Sequence, residues 1–520
     1  MSEGRKHSVR PAQGMRRIVA FGSGKGGVGS SMIATNLGIF LAQIGKQVAL
    51  VDASTSSAGL HSWLGMGPPE KTIGDLLWGR ASRVEEVISE TPVTGLLLLG
   101  GVSDLLGPLR VDASTARELR GHLRNLETDF VLIDLPSGLT PLALDLFAAA
   151  DVPIVSTAAT PDSVEATYRF LCAAFLRKLI GRETDDSARG LLERLGSRRG
   201  LLASPREIAE TLEENGLPAS ELARELQAEF HPQLIVNETR IKADEEVGEA
   251  MVSAAARWLG LVPRLLGSVG WDDNVWLSLR RGLPLLTEFR RSRACKDLER
   301  IVRRLLGQEF KDLFAPGVVP PPTSEQNLYE LLEIYPGASE EEVRRALKRI
   351  REWFGVDGLA TRGACSDEER EEYQRRAEEA HARLLDKSQR REYDRNHFPE
   401  GFSSARERYE RARNSIAGTV AATRDSLPDV ELADDDMVDG EFLGRVRRER
   451  NVELIDISNR AKISVSYLRA IEEERYENLP AEVFVRGFVT EFARYLKIDS
   501  KRAVRDFMAK LDMAGEREEK

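Results

Sequence analysis

A chain of 520 residues exceeds what one ordinary hydrophobic core organises, so about three domains are expected. Hydrophobic residues at 42% fit globular domains, and a net charge of -10 argues against a protein whose main task is to coat nucleic acid. Three cysteines without metal or disulfide spacing, and no apolar run near the roughly 18 residues of a membrane span, exclude a disulfide scaffold and a transmembrane segment and point to the cytoplasm. Residues 1–15 are polar and basic, without an apolar targeting core, and read as a flexible tail.

The stretch Ile18-Val-Ala-Phe-Gly-Ser-Gly-Lys-Gly-Gly-Val-Gly-Ser-Ser31 reads as strand, glycine-rich loop and helix start, with five glycines between Gly22 and Gly29. Glycines let a loop turn tightly and bring its amides onto phosphate oxygens, while the following helix points its positive dipole end at the same anion. Gly24-Lys-Gly-Gly-Val-Gly-Ser-Ser31 nearly meets the G-x-x-x-x-G-K-[ST] pattern, with Ser30 in the place of the usual lysine. With its early Lys25, the segment resembles the deviant Walker A box of the MinD/ParA ATPases. The resemblance implies ATP or ADP with magnesium held by Gly24, Lys25, Gly26, Gly27, Val28, Gly29, Ser30 and Ser31. It further implies that Ser31 is a magnesium ligand and that Lys25 reaches across a homodimer interface.

Further along, Gln47 to Asp52 is a buried strand ending in a carboxylate, and Ala53 to Gly65 resembles the family's switch region, with Ser54 where the family has its second aspartate. Lys71 to Glu90 is patterned as helix, and Gly95 to Gly100 as strand. Phe130-Val-Leu-Ile-Asp134 has the form of a Walker B strand, its aspartate placed to hold a magnesium-bound water. Val152 to Ser156 is another strand and leads into Thr160-Pro-Asp-Ser-Val-Glu, a well-formed helix start. Arg177 to Phe230 is charged and helical, expected as an insertion or lid. Strands at Leu234 to Asn237 and Leu266 to Asp272 follow, and helices from Val275 to Leu306 close the domain. By the resemblance, Asn237 reads the adenine, whereas Val269 and Gly270 replace the family's Ile-Pro pair. The expected fold is α/β, a doubly wound and mostly parallel sheet of P-loop NTPase type over residues 16–307, with two small all-α domains beyond it.

Residues 308–324 are proline-rich and read as a stiff linker. Over 325–402, Leu328-Tyr-Glu-Leu-Leu, the capping box Ser339-x-x-Glu342 and Asp386-Lys-Ser-Gln-Arg-Arg-Glu-Tyr-Asp394 resemble a DnaJ-type J domain. The His-Pro-Asp of that family is missing, and Trp353-Phe-Gly-Val-Asp-Gly358 stands in its place. Residues 403–438 form an acidic linker, and 439–513 carry helix-turn-helix spacing, followed by a continuation that resembles the cytoplasmic domain of RodZ. Residues 441–475 hold eight Lys/Arg and seven Asp/Glu, and Glu472-Glu-Glu474 ends the second helix, so a protein partner is favoured over DNA.

Together these features predict a bacterial nucleotide-binding switch or scaffold, dimerising and with weakened or absent ATPase activity. It would be coupled through its helical modules to protein partners in cell positioning, polarity, motility or division. Two alternatives stand beside it: a slow ATPase in which Lys25 and Asp52 substitute for lost catalytic groups, and a DNA-binding regulator acting through the helix-turn-helix.

Overall fold

The computed structural model describes residues 17–54, 59–101, 113–183, 185–196, 202–307 and 319–402, with most of 437–518 besides. The tail 1–15 and nearly all of 403–436 lie outside the described residues. The chain divides into two compact units, Met1–Gly418 and Thr419–Lys520.

In the first unit the order of elements is β1 (Arg17–Gly22), α1 (Ser30–Gln43), β2 (Val48–Asp52), α2 (Leu60–Trp63), α3 (Ile73–Leu77), β3 (Ile88–Glu90), β4 (Leu96–Leu99), α4 (Ala113–Leu123), β5 (Phe130–Asp134), α5 (Pro141–Ala149), β6 (Val152–Ala158) and α6 (Pro161–Arg182). There follow α7 (Asp186–Gly196), α8 (Pro205–Glu214), α9 (Ala219–Glu229), β7 (Gln233–Thr239), α10 (Lys242–Ala254), β8 (Arg264–Gly270), α11 (Asp273–Arg281), α12 (Leu285–Glu288) and α13 (Arg293–Gly307). The eight strands form one sheet in the order β3-β4-β2-β5-β1-β6-β7-β8, parallel throughout except for β3. Central strands are apolar at every position because both faces are covered. Along β1, Ile18 and Ala20 enter the core under α4 to α10, and Val19 and Phe21 enter the opposite core under α1 and α13. This is the doubly wound α/β sheet that the strand and helix alternation predicts, and it sets the carboxyl ends of β1 and β5 side by side.

Two local expectations change. Only Ile73–Leu77 of the stretch 71–90 is α-helical: Gly79, at φ +70, follows the end of α3, and Ile88–Glu90 instead pairs antiparallel with β4 as an edge strand. The segment 177–230 is no free lid, because Leu192, Leu195, Ile208, Leu212, Leu226 and Phe230 are buried in the core of that face.

The J-like segment supplies α14 (Leu328–Leu331), α15 (Glu340–Phe354), α16 (Asp367–Leu385) and α17 (Lys387–His397). The predicted capping box is present, with Glu342 N donating to Ser339 Oγ at 3.3 Å and Ser339 N donating to Glu342 Oε2 at 2.7 Å. These helices share one hydrophobic core with the sheet domain. The Tyr168 hydroxyl of α6, fully buried, donates to the Ala360 carbonyl at 2.8 Å, and Trp258 packs edge-on against Phe354 and Tyr373. Buried Arg257 donates to Gln326 and Glu333 and lies 3.9 Å over the Tyr373 ring. Even the described end of the proline run is held, since Arg206 donates to the Pro320 carbonyl at 2.8 Å.

The second unit contains α18 (Gly440–Glu449), α19 (Val465–Glu472), α20 (Glu482–Tyr495) and α21 (Ser500–Glu518) around Leu443, Ile457, Leu468, Val489, Phe492 and Phe507. Among the described residues no helix is long and apolar enough to cross a membrane.

Candidate functional site: the phosphate-loop cavity

Where the carboxyl ends of β1, β5, β7 and β8 converge, a cavity of about 610 Å³ opens. Gly26, Gly27, Val28, Gly29, Ser30 and Ser31 line one side, Ser54, Pro136 and Ser137 another, and Asn237, Glu238, Trp271 and Trp276 the far end. Gly27 and Gly29 lie at φ +85 and +83, a left-handed backbone that side chains rarely adopt. A methyl group on Gly29 would also collide with the Asn237 amide. Gly29 gives α1 no side-chain cap, so the first-turn amides of a 14-residue helix face the cavity without one. Asn237 itself donates to the Val28 carbonyl at 2.9 Å and holds the loop closed onto β7.

Ser30, in the lysine position, is buried, and its hydroxyl meets that of Ser156 on β6 at 2.5 Å. Ser31 Oγ donates to Asp134 Oδ2 at 2.6 Å. The other carboxylate oxygen, Asp134 Oδ1, is buried without a hydrogen-bond partner. Burial, above all, and the nearby Asp52 carboxylate push the Asp134 carboxyl up to about 7, against the opposing effect of the Ser31 hydroxyl. An orphaned carboxylate oxygen beside a hydroxyl, both hard oxygen donors, suits a magnesium ion that takes its remaining ligands from water and phosphate. No cluster of three or more His, Cys, Asp or Glu side chains forms a metal centre among the described residues.

Not every residue proposed from sequence reaches the cavity. Gly24, Lys25, Asp52 and Asp134 do not line it, although Asp134 is joined to it through Ser31. Asp52 is buried and committed to backbone, accepting from Ser54 N at 3.0 Å, Gly59 N at 2.9 Å and Leu60 N at 3.3 Å. Lys25 pairs with Asp162 at the start of α6, and that hydrogen bond is the main cause holding the Asp162 carboxyl down near 2. Both partners are about half exposed, so the pair costs little to break. Gly24 is pressed onto α6, where a methyl group would strike the Ala166 carbonyl. Sequence reasoning missed Ser156, Glu238, Trp271 and Trp276. The signal available for the last three was position, since all lie at or just beyond the carboxyl ends of parallel strands, where ligands bind in such sheets.

In the helix-turn-helix unit, Glu472 is bound by Arg447, Glu473 by Arg475 and Glu474 by Lys510, so all three glutamates on α19 and just after it are paired internally. Arg469 remains exposed.

Comparison with known proteins places these features. Residues 16–175 match the family described as an AAA domain, and residues 442–503 the family described as a helix-turn-helix domain. A MinD-named septum site-determining protein of Chlorella vulgaris is 25% identical over 308 residues, 59% of this chain and 90% of that protein. The chromosome-partitioning ATPase Soj of Thermus thermophilus is 36% identical over 144 residues, 27% of this chain and 53% of Soj, so the chain spans about half of that relative's length. Among solved structures, MinD of Pyrococcus horikoshii OT3 complexed with Mg-ADP is 19% identical, with a TM-score of 0.39 over 56% of this chain and 98% of that one. The chain thus carries an AAA-type P-loop domain similar to the MinD and ParA ATPases, followed by a helix-turn-helix domain.

Proposed function

We propose that the chain is a magnesium- and nucleotide-dependent switch or scaffold of MinD/ParA type in which ATP hydrolysis is very slow or absent. The observation that carries this reading is a phosphate cradle complete in backbone but short of charge. Glycine amides, the uncapped start of α1, Ser31 and the orphaned Asp134 oxygen are in place to hold a magnesium-bound polyphosphate. The lysine position holds Ser30, turned to Ser156, and the cavity wall carries Ser54 where a carboxylate would orient water. Phosphoryl transfer depends on charge stabilisation and water positioning, and both are reduced here.

In this reading nucleotide occupancy is a signal. Lys25, lightly held by Asp162, is free to turn toward a second copy of the chain, and the docked J-like helices and the helix-turn-helix unit present surfaces to protein partners. Calorimetric titration with ATP and ADP, with and without magnesium, alongside a turnover assay, tests the proposal. Binding without turnover is expected, and no binding at millimolar ATP refutes it.

A second reading, DNA binding by the helix-turn-helix, is favoured by the internal pairing of Glu472 and Glu474, which lowers the repulsion expected from the sequence. Salt-titrated binding to duplex DNA distinguishes it from protein binding.

A further inference from the structure

We propose that the J-like segment reads the occupancy of the phosphate cavity through α6, so that nucleotide binding and the docking of that segment are linked in both directions. The linkage rests on the nucleotide-binding reading and adds the route by which occupancy leaves the site. Adjoining residues in one turn of α6 are gripped from the two sides. Gly24 of the phosphate loop lies so close to Ala166 that an added methyl group would stand 2.0 Å from its carbonyl oxygen. Gly363 of the J-like segment, at φ +77, lies so close to Glu165 that a methyl group there would stand 2.7 Å from its Cγ.

The contacts extend along the helix as two stripes. Toward the cavity, Lys25 pairs with Asp162 in the first turn of α6, and a methyl group on Gly22, where β1 enters the phosphate loop, would meet the Phe170 ring at 2.7 Å. Asp162, Ala166 and Phe170 recur every fourth residue and so share one face. Toward the J-like segment, the buried Tyr168 hydroxyl donates to the Ala360 carbonyl at 2.8 Å, and Ala360 belongs to the short turn Leu359–Thr361 that leads into Gly363. Glu165 and Tyr168, three residues apart, make the neighbouring face.

A second path runs beside the first. α10 follows β7, whose Asn237 holds Val28 of the phosphate loop, and α10 runs on into a π-helical turn, Ala255–Leu259, that sets Arg257 on Gln326 and Glu333 of the J-like segment. Packed interiors do not compress, so a shift on one side of a helix is passed to whatever is pressed against the other. A polyphosphate held by the loop amides fixes Gly24, Gly24 fixes α6, and α6 fixes the turn that carries Ala360 and Gly363. An empty loop leaves α6 free to shift and the turn loosely held. The same J-like loop carries Val356, 70% exposed, so what the nucleotide fixes is a surface-facing part of the module. Linkage makes the effect reciprocal: what loosens the docked turn weakens nucleotide binding.

The test is hydrogen exchange on the full chain with and without magnesium-ATP, paired with calorimetric affinity for the same probe. The nucleotide is expected to slow exchange at residues 22–31 and also, by about fivefold or more, at residues 359–365. Glu165, Tyr168 and Gly363 do not line the cavity. Gly363→Ala, whose methyl group wedges against Glu165, should weaken magnesium-ATP about five- to tenfold, and adding Glu165→Ala should bring the affinity back to within about twofold of wild type. The strain of a left-handed alanine is the same in both variants, so the difference between them reports the wedge alone. Tyr168→Phe, which keeps the ring and loses the bond to Ala360, should weaken magnesium-ATP about fivefold. Unchanged exchange in β5 reports that each variant is folded, and the wild-type pattern decides by itself where one is not. Protection confined to residues 22–31 overturns the linkage and leaves the phosphate site standing, as does a loss of affinity in Gly363→Ala that Glu165→Ala fails to relieve. If the wild-type chain binds no magnesium-ATP, the nucleotide-binding function fails and the linkage with it.

Discussion

The hydroxyls of Ser30 and Ser156 meet at 2.5 Å, one from the first residue of α1 and the other from β6. The residue in the lysine position of the loop is thereby tied to the sheet, although it also touches the cavity. Ser30→Lys should break this contact and send an ammonium into the cavity. A charged hydrogen bond contributes roughly 1.5 to 3 kcal/mol, so magnesium-ATP affinity should rise about tenfold to a hundredfold by calorimetry.

Hydrolysis should respond to two positions together. Wild-type turnover is expected at or below the detection limit of a phosphate-release assay, and Ser30→Lys combined with Ser54→Asp should raise it measurably. Turnover unchanged in the double variant would show that these positions are not what limits the reaction.

Removal of the metal gives a separate readout. With EDTA, or in Ser31→Ala, the magnesium-dependent part of nucleotide affinity should disappear while a residual backbone-held component remains. Asp134→Asn should likewise lose the magnesium effect. It should also raise the melting temperature of the ligand-free protein by about 1 to 4 °C, because a buried carboxylate with one unpartnered oxygen becomes a neutral amide.

Acid should loosen the docked J-like helices. Burial pushes the Glu333 carboxyl up, but Arg257, Arg349 and the Ser253 hydroxyl together hold it below its ordinary 4.5. A carboxyl whose value is lower folded than unfolded adds stability above the unfolded value, and that stability is lost as pH falls through the folded one. Between neutral pH and about 5 the contact should be insensitive; below 4.5 it should weaken progressively. Hydrogen exchange at residues 326–333 checks this. Arg257→Ala, which removes the closer of the two cations on Glu333 and uncovers Tyr373, should cost about 1 to 3 kcal/mol in a denaturant melt, Arg349 and Ser253 still holding the carboxylate.

The helix-turn-helix unit should bind duplex DNA only weakly and without sequence preference at about 150 mM salt, with a dissociation constant of the order of 0.1 mM or weaker. A sequence-specific footprint by the full chain, abolished in Arg469→Ala, would make DNA its partner instead.

The α/β architecture was legible because strands buried on both faces leave continuous apolar runs: Ile18 to Phe21, Val48 to Val51 and Phe130 to Ile133 each became a strand of the sheet. The phosphate loop was legible for a related reason, since glycines at Gly27 and Gly29 record a backbone requirement directly in the sequence. Contacts between distant segments leave no such trace. That Asp52 would spend both oxygens on the amides of Ser54, Gly59 and Leu60, or that Ser30 would find Ser156, depends on the packing of separate strands. The fusion of the J-like helices onto α6 and α10 was hidden by the proline run, whose composition suggests a spacer while its carbonyls are used as anchors.

That anchoring makes the obvious cut site a poor one. A fragment ending near residue 320 would expose the Trp258 ring and leave the Tyr168 hydroxyl without its bond to Ala360, in the face that covers the sheet. One flank of α6 is clasped by Gly24 of the phosphate loop and another by Gly363 of the J-like segment, whose missing side chain admits Glu165. The smallest piece that can be expected to dissolve as a well-behaved particle therefore runs past residue 397. Any vector that separates the two segments would yield aggregates whose failure to bind nucleotide says nothing about the site.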